Sequence, residues 1–128
     1  MENRKVLVTG GNRGIGRGIV EGFLKNGNQV LATCRDVSKF PYKNDKLTIA
    51  ELDISDFKSI DNFKKTVEDF QPEILINNAG ITKDNIFLRM SENEWEDVLS
   101  VNLNSTFSIL KLITKGMVKR KYGRIINI

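Results

Sequence analysis

Four glycines crowd into the segment Thr9-Gly10-Gly11-Asn12-Arg13-Gly14-Ile15-Gly16. An apolar run, Val6-Leu7-Val8, precedes it, and a helical pattern follows it. Glycines between a strand and a helix permit a tight turn, close approach of a pyrophosphate and close helix-strand packing. The N-terminus of the following helix offers free N–H groups and a partial positive charge. This segment therefore reads as a phosphate-binding turn for a dinucleotide. A P-loop is the nearest alternative, because Gly11 to Gly16 satisfies G-x4-G. Arg17 and Gly18 stand where a P-loop needs Lys and Ser or Thr, so nucleoside triphosphate hydrolysis is rejected. Histidine is absent, which removes Ser-His-Asp, Cys-His and His-metal chemistry. The single cysteine, Cys34, excludes an intrachain disulfide and a Cys-rich zinc site.

The elements that must carry this turn alternate between strand and helix patterns, as in βαβ units with a parallel sheet. Lys5 to Thr9 is the first predicted strand. Ile15 to Asn26 is a helix with Ile15, Ile19, Phe23 and Leu24 on one face, ended by Gly27. Gln29 to Cys34 is a strand, 36–46 a polar loop, and Leu47 to Leu52 a third strand. Ile60, Phe63, Val67 and Phe70 mark an amphipathic helix closed by Pro72. Ile74 to Asn77 is the fourth strand. Ser91-Glu92-Asn93-Glu94 fits a capping box that opens a long helix. Its apolar positions include Trp95, Val98, Leu99, Phe107, Leu110 and Met117, and Gly123 ends it. Arg124 to Ile128 begins a fifth strand. The whole predicts an α/β fold of the Rossmann type, a doubly wound parallel sheet in the order 3-2-1-4-5.

The 128 residues suit one domain, 40% apolar and 28% charged, with a net charge of +4. No stretch approaches the ~20 apolar residues of a membrane span, and no signal peptide is evident. A cytoplasmic protein fits, and so does one in an organelle. The chain stops inside a strand that in such sheets feeds a ligand-binding loop. The expectation is a dinucleotide-binding domain over 1–128 that is a fragment of a longer single domain.

The spacing Thr-Gly-x3-Gly-Ile-Gly resembles that of the short-chain dehydrogenase/reductase family. Asn77-Asn78-Ala79-Gly80 is similar to that family's second signature, and Asp53-Ile54 to its adenine-contacting position. The resemblance implies a dinucleotide held by Thr9, Gly10, Asn12, Arg13, Gly14, Ile15, Gly16, Asp53, Ile54, Asn78, Ala79, Gly80 and Val101. Members that prefer NAD carry an acid at the end of the second strand. Here Cys34 stands there, followed by Arg35, whose fork can pair with a 2′-phosphate. With Arg13 inside the turn, this favours NADP(H), although Asp36 lies one residue later.

Ile81-Thr82-Lys83-Asp84-Asn85, Leu88-Arg89-Met90, Glu94-Trp95 and Gly123-Arg124-Ile125-Ile126-Asn127-Ile128 look most like β-ketoacyl carrier-protein reductases. The implied reaction is NADPH-dependent reduction of a 3-oxoacyl thioester in fatty-acid synthesis. Acyl carrier protein or an acyl-CoA is the implied substrate, with Lys119, Arg120 and Lys121 as docking residues. Lys111, Lys115 and Arg124 extend that basic stretch, which also reads as a solvated helix end. Nucleic acid is disfavoured, since Tyr122 alone is interleaved. Relatives of this kind are mostly tetramers that pack the helix after Ser91 against its copy.

In this family Asn, Ser, Tyr and Lys cooperate. Tyr donates a proton as hydride reaches the carbonyl carbon, and Lys lowers the Tyr pKa. Asn102, in Val101-Asn102-Leu103, matches the Asn that anchors a relay water. The Ser and the Tyr-x3-Lys pair are expected beyond Ile128. Tyr42-x3-Lys46 is read as a chance match, because it precedes the third strand, and Tyr122 has Ile126 where Lys is needed. Two other readings stay open: a reductase of another carbonyl substrate, and a non-catalytic dinucleotide-binding domain if 128 residues is the true length.

Overall fold

Short apolar runs form β1 (Lys5–Val8), β2 (Gln29–Cys34), β3 (Leu47–Glu51), β4 (Ile74–Asn77) and β5 (Arg124–Asn127). The computed structural model of the chain describes residues 3–80 and 89–128. The strands make one parallel sheet in the order β3-β2-β1-β4-β5, as expected. Alternation along each strand sends side chains to opposite faces. Leu7, Leu31 and Leu75 meet Ile60, Phe63 and Val67 on one face, together with Ile109, Ile113 and Met117. Val6, Val8, Val30, Ala32, Ile74 and Ile76 meet Val20 on the other. Covering on both faces is what makes the central strands read as unbroken apolar runs.

Helices α1 (Gly14–Lys25) and α2 (Phe57–Phe70) lie where the periodicity put them. Gly27, at φ +79°, ends α1. The buried residues of α1 are Gly16 and Val20, whereas Ile15 is 67% exposed. The expected face is corrected here. The helix touches the turn through Gly16, where a Cβ would collide with the Gly10 carbonyl, and neighbouring Ile15 faces outward. Ile19, Phe23 and Leu24 do pack against the sheet. In α2, Ile60, Phe63 and Val67 are buried and Phe70 packs beside them. Asp56 caps it by accepting from Lys58 N at 3.0 Å.

The long helix expected after Ser91 is interrupted. Ser91 and Glu94 form the capping box, and α3 (Glu92–Leu99) follows. A π turn, Ser100–Asn104, then leads into α4 (Ser105–Arg120). The residues facing the core are Val101, Ser105, Ile109, Ile113 and Met117, at intervals of four. Trp95, Leu99 and Phe107, apolar positions of the expected helix, stay outside this core. They are exposed, as is Leu103. Apolar spacing alone does not tell one stripe of this helix from the other.

The crossover from β2 to β3 contains only a short 3-10 turn, Val37–Lys39, in agreement with the loop expected there. Phe40 and Tyr42 pack against the α1-side core in place of a helix. Residues 81–88, which carry the Ile81-to-Asn85 and Leu88 parts of the resemblance, lie outside the described residues. Among the described residues no helix is long and apolar enough to cross a membrane.

Phe63→Ala should lower the unfolding free energy by about 3–5 kcal/mol, because it empties a buried site. Phe57→Ala, at an exposed position of the same helix, should change it by less than about 1 kcal/mol. Urea denaturation of the two variants checks this. Equal losses would mean that α2 presents another face to the sheet.

Candidate functional site

Two loops meet beyond the carboxyl ends of β1 and β4, where the strand order reverses. In doubly wound sheets this crevice receives ligands. Thr9 joins the loops. It is fully buried, and its Oγ1 accepts from the N–H of Asn78 at 3.0 Å and of Ala79 at 2.9 Å. The same hydroxyl donates to Asn77 Oδ1 at 3.4 Å. Asn78 Nδ2 returns the contact, donating to the carbonyls of Thr9 at 3.1 Å and Gly10 at 3.2 Å. From the other side, Gly10 N donates to Thr33 Oγ1 at 3.2 Å and Gly11 N to Thr33 O at 2.9 Å.

Glycine makes this approach possible at two positions in particular. Gly10 sits at φ +67°, and a Cβ on Gly16 would collide with the Gly10 carbonyl oxygen. Gly14, at φ +57°, differs, because a Cβ there would meet nothing within 4 Å. It opens α1 on the free side of the turn. Arg13 is the N-cap, in extended backbone, and gives no side-chain cap, and the first turn holds no acid. The helix therefore starts with N–H donors that have no helical acceptor and a positive end that no carboxylate offsets. These groups fit a pyrophosphate.

The other expected residues gather at the same end of the sheet. Arg35 follows buried Cys34 and is exposed, and Asp53 and Ile54 are half-buried after β3. The Asp53 carboxylate accepts from Ser55 Oγ at 2.6 Å and Ser55 N at 3.0 Å. The Ser55 hydroxyl foremost, then its N–H and the Arg35 charge, hold Asp53 below the usual carboxylate range. Asp36 is engaged in its own turn. It accepts from Ser38 Oγ at 2.6 Å and Ser38 N at 3.0 Å, which lowers its pKa as well. That local capping gives Asp36 a structural task.

Asn102 lies within the π turn, beside buried Val101. A Cβ on Gly80 would stand 2.9 Å from Asn102 Oδ1, so Asn102 abuts the loop after β4. Thr106 Oγ1 donates to the Asn102 carbonyl at 2.6 Å. Thr9, the glycine turn, Asn78 to Gly80 and Asn102 thus form one contiguous group.

Two buried contributors were not among the expected site residues. Thr33 and Asn77 are buried, and Asn77 Nδ2 donates to Asn127 Oδ1 at 3.4 Å. The available signal was a polar side chain at the end of an otherwise apolar buried strand. Tyr42 and Lys46 do not form a pair: the Tyr42 hydroxyl donates to Gly11 O at 2.8 Å, and Lys46 Nζ to Gly27 O at 3.2 Å. Tyr42 thus has a different task from that of a Tyr-x3-Lys pair: it bonds to the turn. Lys119, Arg120 and Lys121 end α4 beside the amino ends of β4 and β5. Arg120 there donates to the Pro72 carbonyl at 2.7 Å. Tyr122 has the guanidinium groups of Arg4 and Arg124 at 4.5 Å and 5.0 Å from its ring centre.

Thr9→Val keeps the volume but leaves the N–H groups of Asn78 and Ala79 without their acceptor. Each buried donor so orphaned costs about 1–3 kcal/mol. Thermal unfolding should show a clear loss for Thr9→Val and a much smaller one for Thr9→Ser. Equal effects would mean that the hydroxyl does not join the loops.

The short chain dehydrogenase family model matches residues 4–128. Over its full length the chain is 38% identical to 3-oxoacyl-[acyl-carrier-protein] reductase FabG of Vibrio harveyi, covering 55% of that protein. It is 37% identical over 99% of its length to the protein of that name from Escherichia coli (strain K12), covering 54% of it. The chain thus spans about half the length of these relatives. A short chain dehydrogenase from Leptospira borgpetersenii, solved with bound NAD+, superposes with a TM-score of 0.87. The two are 29% identical over 99% of this chain and 51% of that one. With the family model covering nearly every residue, the chain belongs to the short-chain dehydrogenases.

Proposed function

We propose that the chain is the cofactor-binding part of an NADPH-dependent reductase. Its substrate is a 3-oxoacyl carrier-protein thioester, reduced to the 3-hydroxyacyl form in fatty-acid synthesis. The observation that carries this reading is the Thr9 junction. It brings the uncapped start of α1 together with Asn78, Ala79, Gly80 and, through Gly80, Asn102. In this reading the first N–H groups of α1 hold the pyrophosphate, Asp53 and Ile54 border the adenine, and Asn78 to Gly80 with Val101 line the inner half. NADPH supplies the hydride when bound. Asn102 anchors the water of the proton relay. The Ser, Tyr and Lys of the reaction lie outside these 128 residues, so the chain alone binds cofactor without turnover.

Preference for the 2′-phosphate rests on Arg13 and Arg35, both exposed at the cofactor end. A guanidinium fork matches a phosphate, and a free carboxylate would repel one. Asp36, the next residue after Arg35, is occupied by Ser38.

The exposed stripe Trp95, Leu99, Leu103 and Phe107 supports packing of this helix against a copy, as in a homotetramer. The basic end of α4, with Lys119, Arg120 and Lys121, lies at the other end of the sheet from the glycine turn. A carrier protein docked there serves the catalytic centre of a neighbouring copy. A cytoplasmic location goes with this reading.

Two measurements test it. The coding sequence after Ile128 should supply a Ser and then Tyr-x3-Lys, and the protein containing them should oxidise NADPH with acetoacetyl-CoA. Binding of NADPH without oxidation on any 3-oxoacyl thioester would overturn the substrate assignment. Arg35→Ala should raise the Kd for NADPH about 10-fold or more, the range of a charge-assisted hydrogen bond, and leave NADH nearly unchanged. An unchanged Kd for NADPH would contradict the preference.

A further inference from the structure

The crossover between β2 and β3 does more than connect them. Its residues 35–46 place no helix beyond the turn Val37–Lys39, so side chains close that part of the sheet. Phe40 and Tyr42 do so, their ring centres 4.7 Å apart and their planes tilted by 53°. Tyr42 is half-buried, and its hydroxyl reaches the glycine turn, donating to the Gly11 carbonyl at 2.8 Å. On its outer side the Arg17 guanidinium lies 4.9 Å from the ring centre, held in place by Glu21 at 2.8 Å. One side chain thus touches the crossover, the turn and α1.

The position of that bond matters. The Gly11 N–H is already fixed by the Thr33 carbonyl at 2.9 Å. With Tyr42 on its carbonyl, Gly11 is held through both of its backbone polar groups. The Gly11–Asn12 peptide plane then has a set orientation, and it leads directly into Arg13 and Gly14, where α1 begins. The Gly11 carbonyl, a partial negative charge close to an anion site, is engaged by a donor.

We infer that Tyr42 is a positioning residue for the dinucleotide site, fixing the glycine turn in its binding shape from the β2–β3 crossover. This rests on the reading of the turn as a dinucleotide site. Burial pushes the Tyr42 phenol up to about 12, so the hydroxyl remains a donor throughout the neutral range. The contribution is to binding of the adenine-pyrophosphate half, because Tyr42 meets the turn on its β2 side, away from Asn102 and Gly80.

Tyr42→Phe keeps the ring against Phe40 and Arg17 and removes the hydroxyl alone. The expected result is a 3- to 10-fold rise in Kd for both NADPH and 2′,5′-ADP, about the worth of one hydrogen bond. The thermal midpoint should stay within a few degrees of the parent protein. In the protein competent for turnover, KM for NADPH should rise while kcat stays level, as for loss of uniform binding. Unchanged affinity for both ligands overturns the inference, and so does a large drop in midpoint with affinity unaltered in the folded fraction. A parent protein that binds NADPH normally beside an indifferent variant sinks the Tyr42 role alone. A parent protein that binds neither ligand sinks the site reading as well.

Discussion

One buried hydroxyl organises the functional end of this molecule. Thr9 Oγ1 accepts from the backbone N–H groups of Asn78 and Ala79, and Asn78 answers by donating to the carbonyls of Thr9 and Gly10. These bonds span nearly seventy positions of sequence. They close the gap between the two strands at which the sheet changes direction. Without them the loops after β1 and β4 would leave backbone donors buried and unpaired, a cost of a few kcal/mol. The crevice is therefore built by the same interactions that satisfy the sheet's own end.

Everything nearby is arranged around that junction. β2 holds the turn through Thr33, and the crossover holds it through Tyr42. Gly16 lets α1 sit against the turn, so that its uncapped first turn faces the crevice. The π turn moves Asn102 to the edge of Gly80. Its neighbours Val101 and Ser105 stay in the core, so the irregular backbone is anchored from below. This end of the fold is polar and tied by hydrogen bonds, and the apolar clusters beneath it supply rigidity.

The strand order and the location of the glycine turn were legible from sequence because they rest on local signals. The turn has its glycines, the strands are unbroken apolar runs, and Ser91 with Glu94 marks a helix start. Asp36 and Tyr42 were less legible. Their partners, Ser38 in an Asx turn and Gly11 across the crossover, depend on a loop whose path no periodicity encodes. The stripe of Trp95, Leu99 and Phe107 could not be told from the core-facing one for a related reason. Two apolar stripes run along the same helix, and only the π turn and the Gly80 contact decide which one meets the sheet. Ile15 was misplaced because a glycine, not an apolar residue, makes the closest approach of α1.

The account stands on the start of α1 as the anion site. The most direct measurement is a titration of the protein with NADPH followed by amide NMR. The largest shifts should fall on the N–H groups of Arg13 to Gly16 and of Asn78 to Gly80, with smaller ones at Arg35 and Asp53. Shifts absent from Arg13 to Gly16, or concentrated at the far end of the sheet around Tyr122, would contradict it.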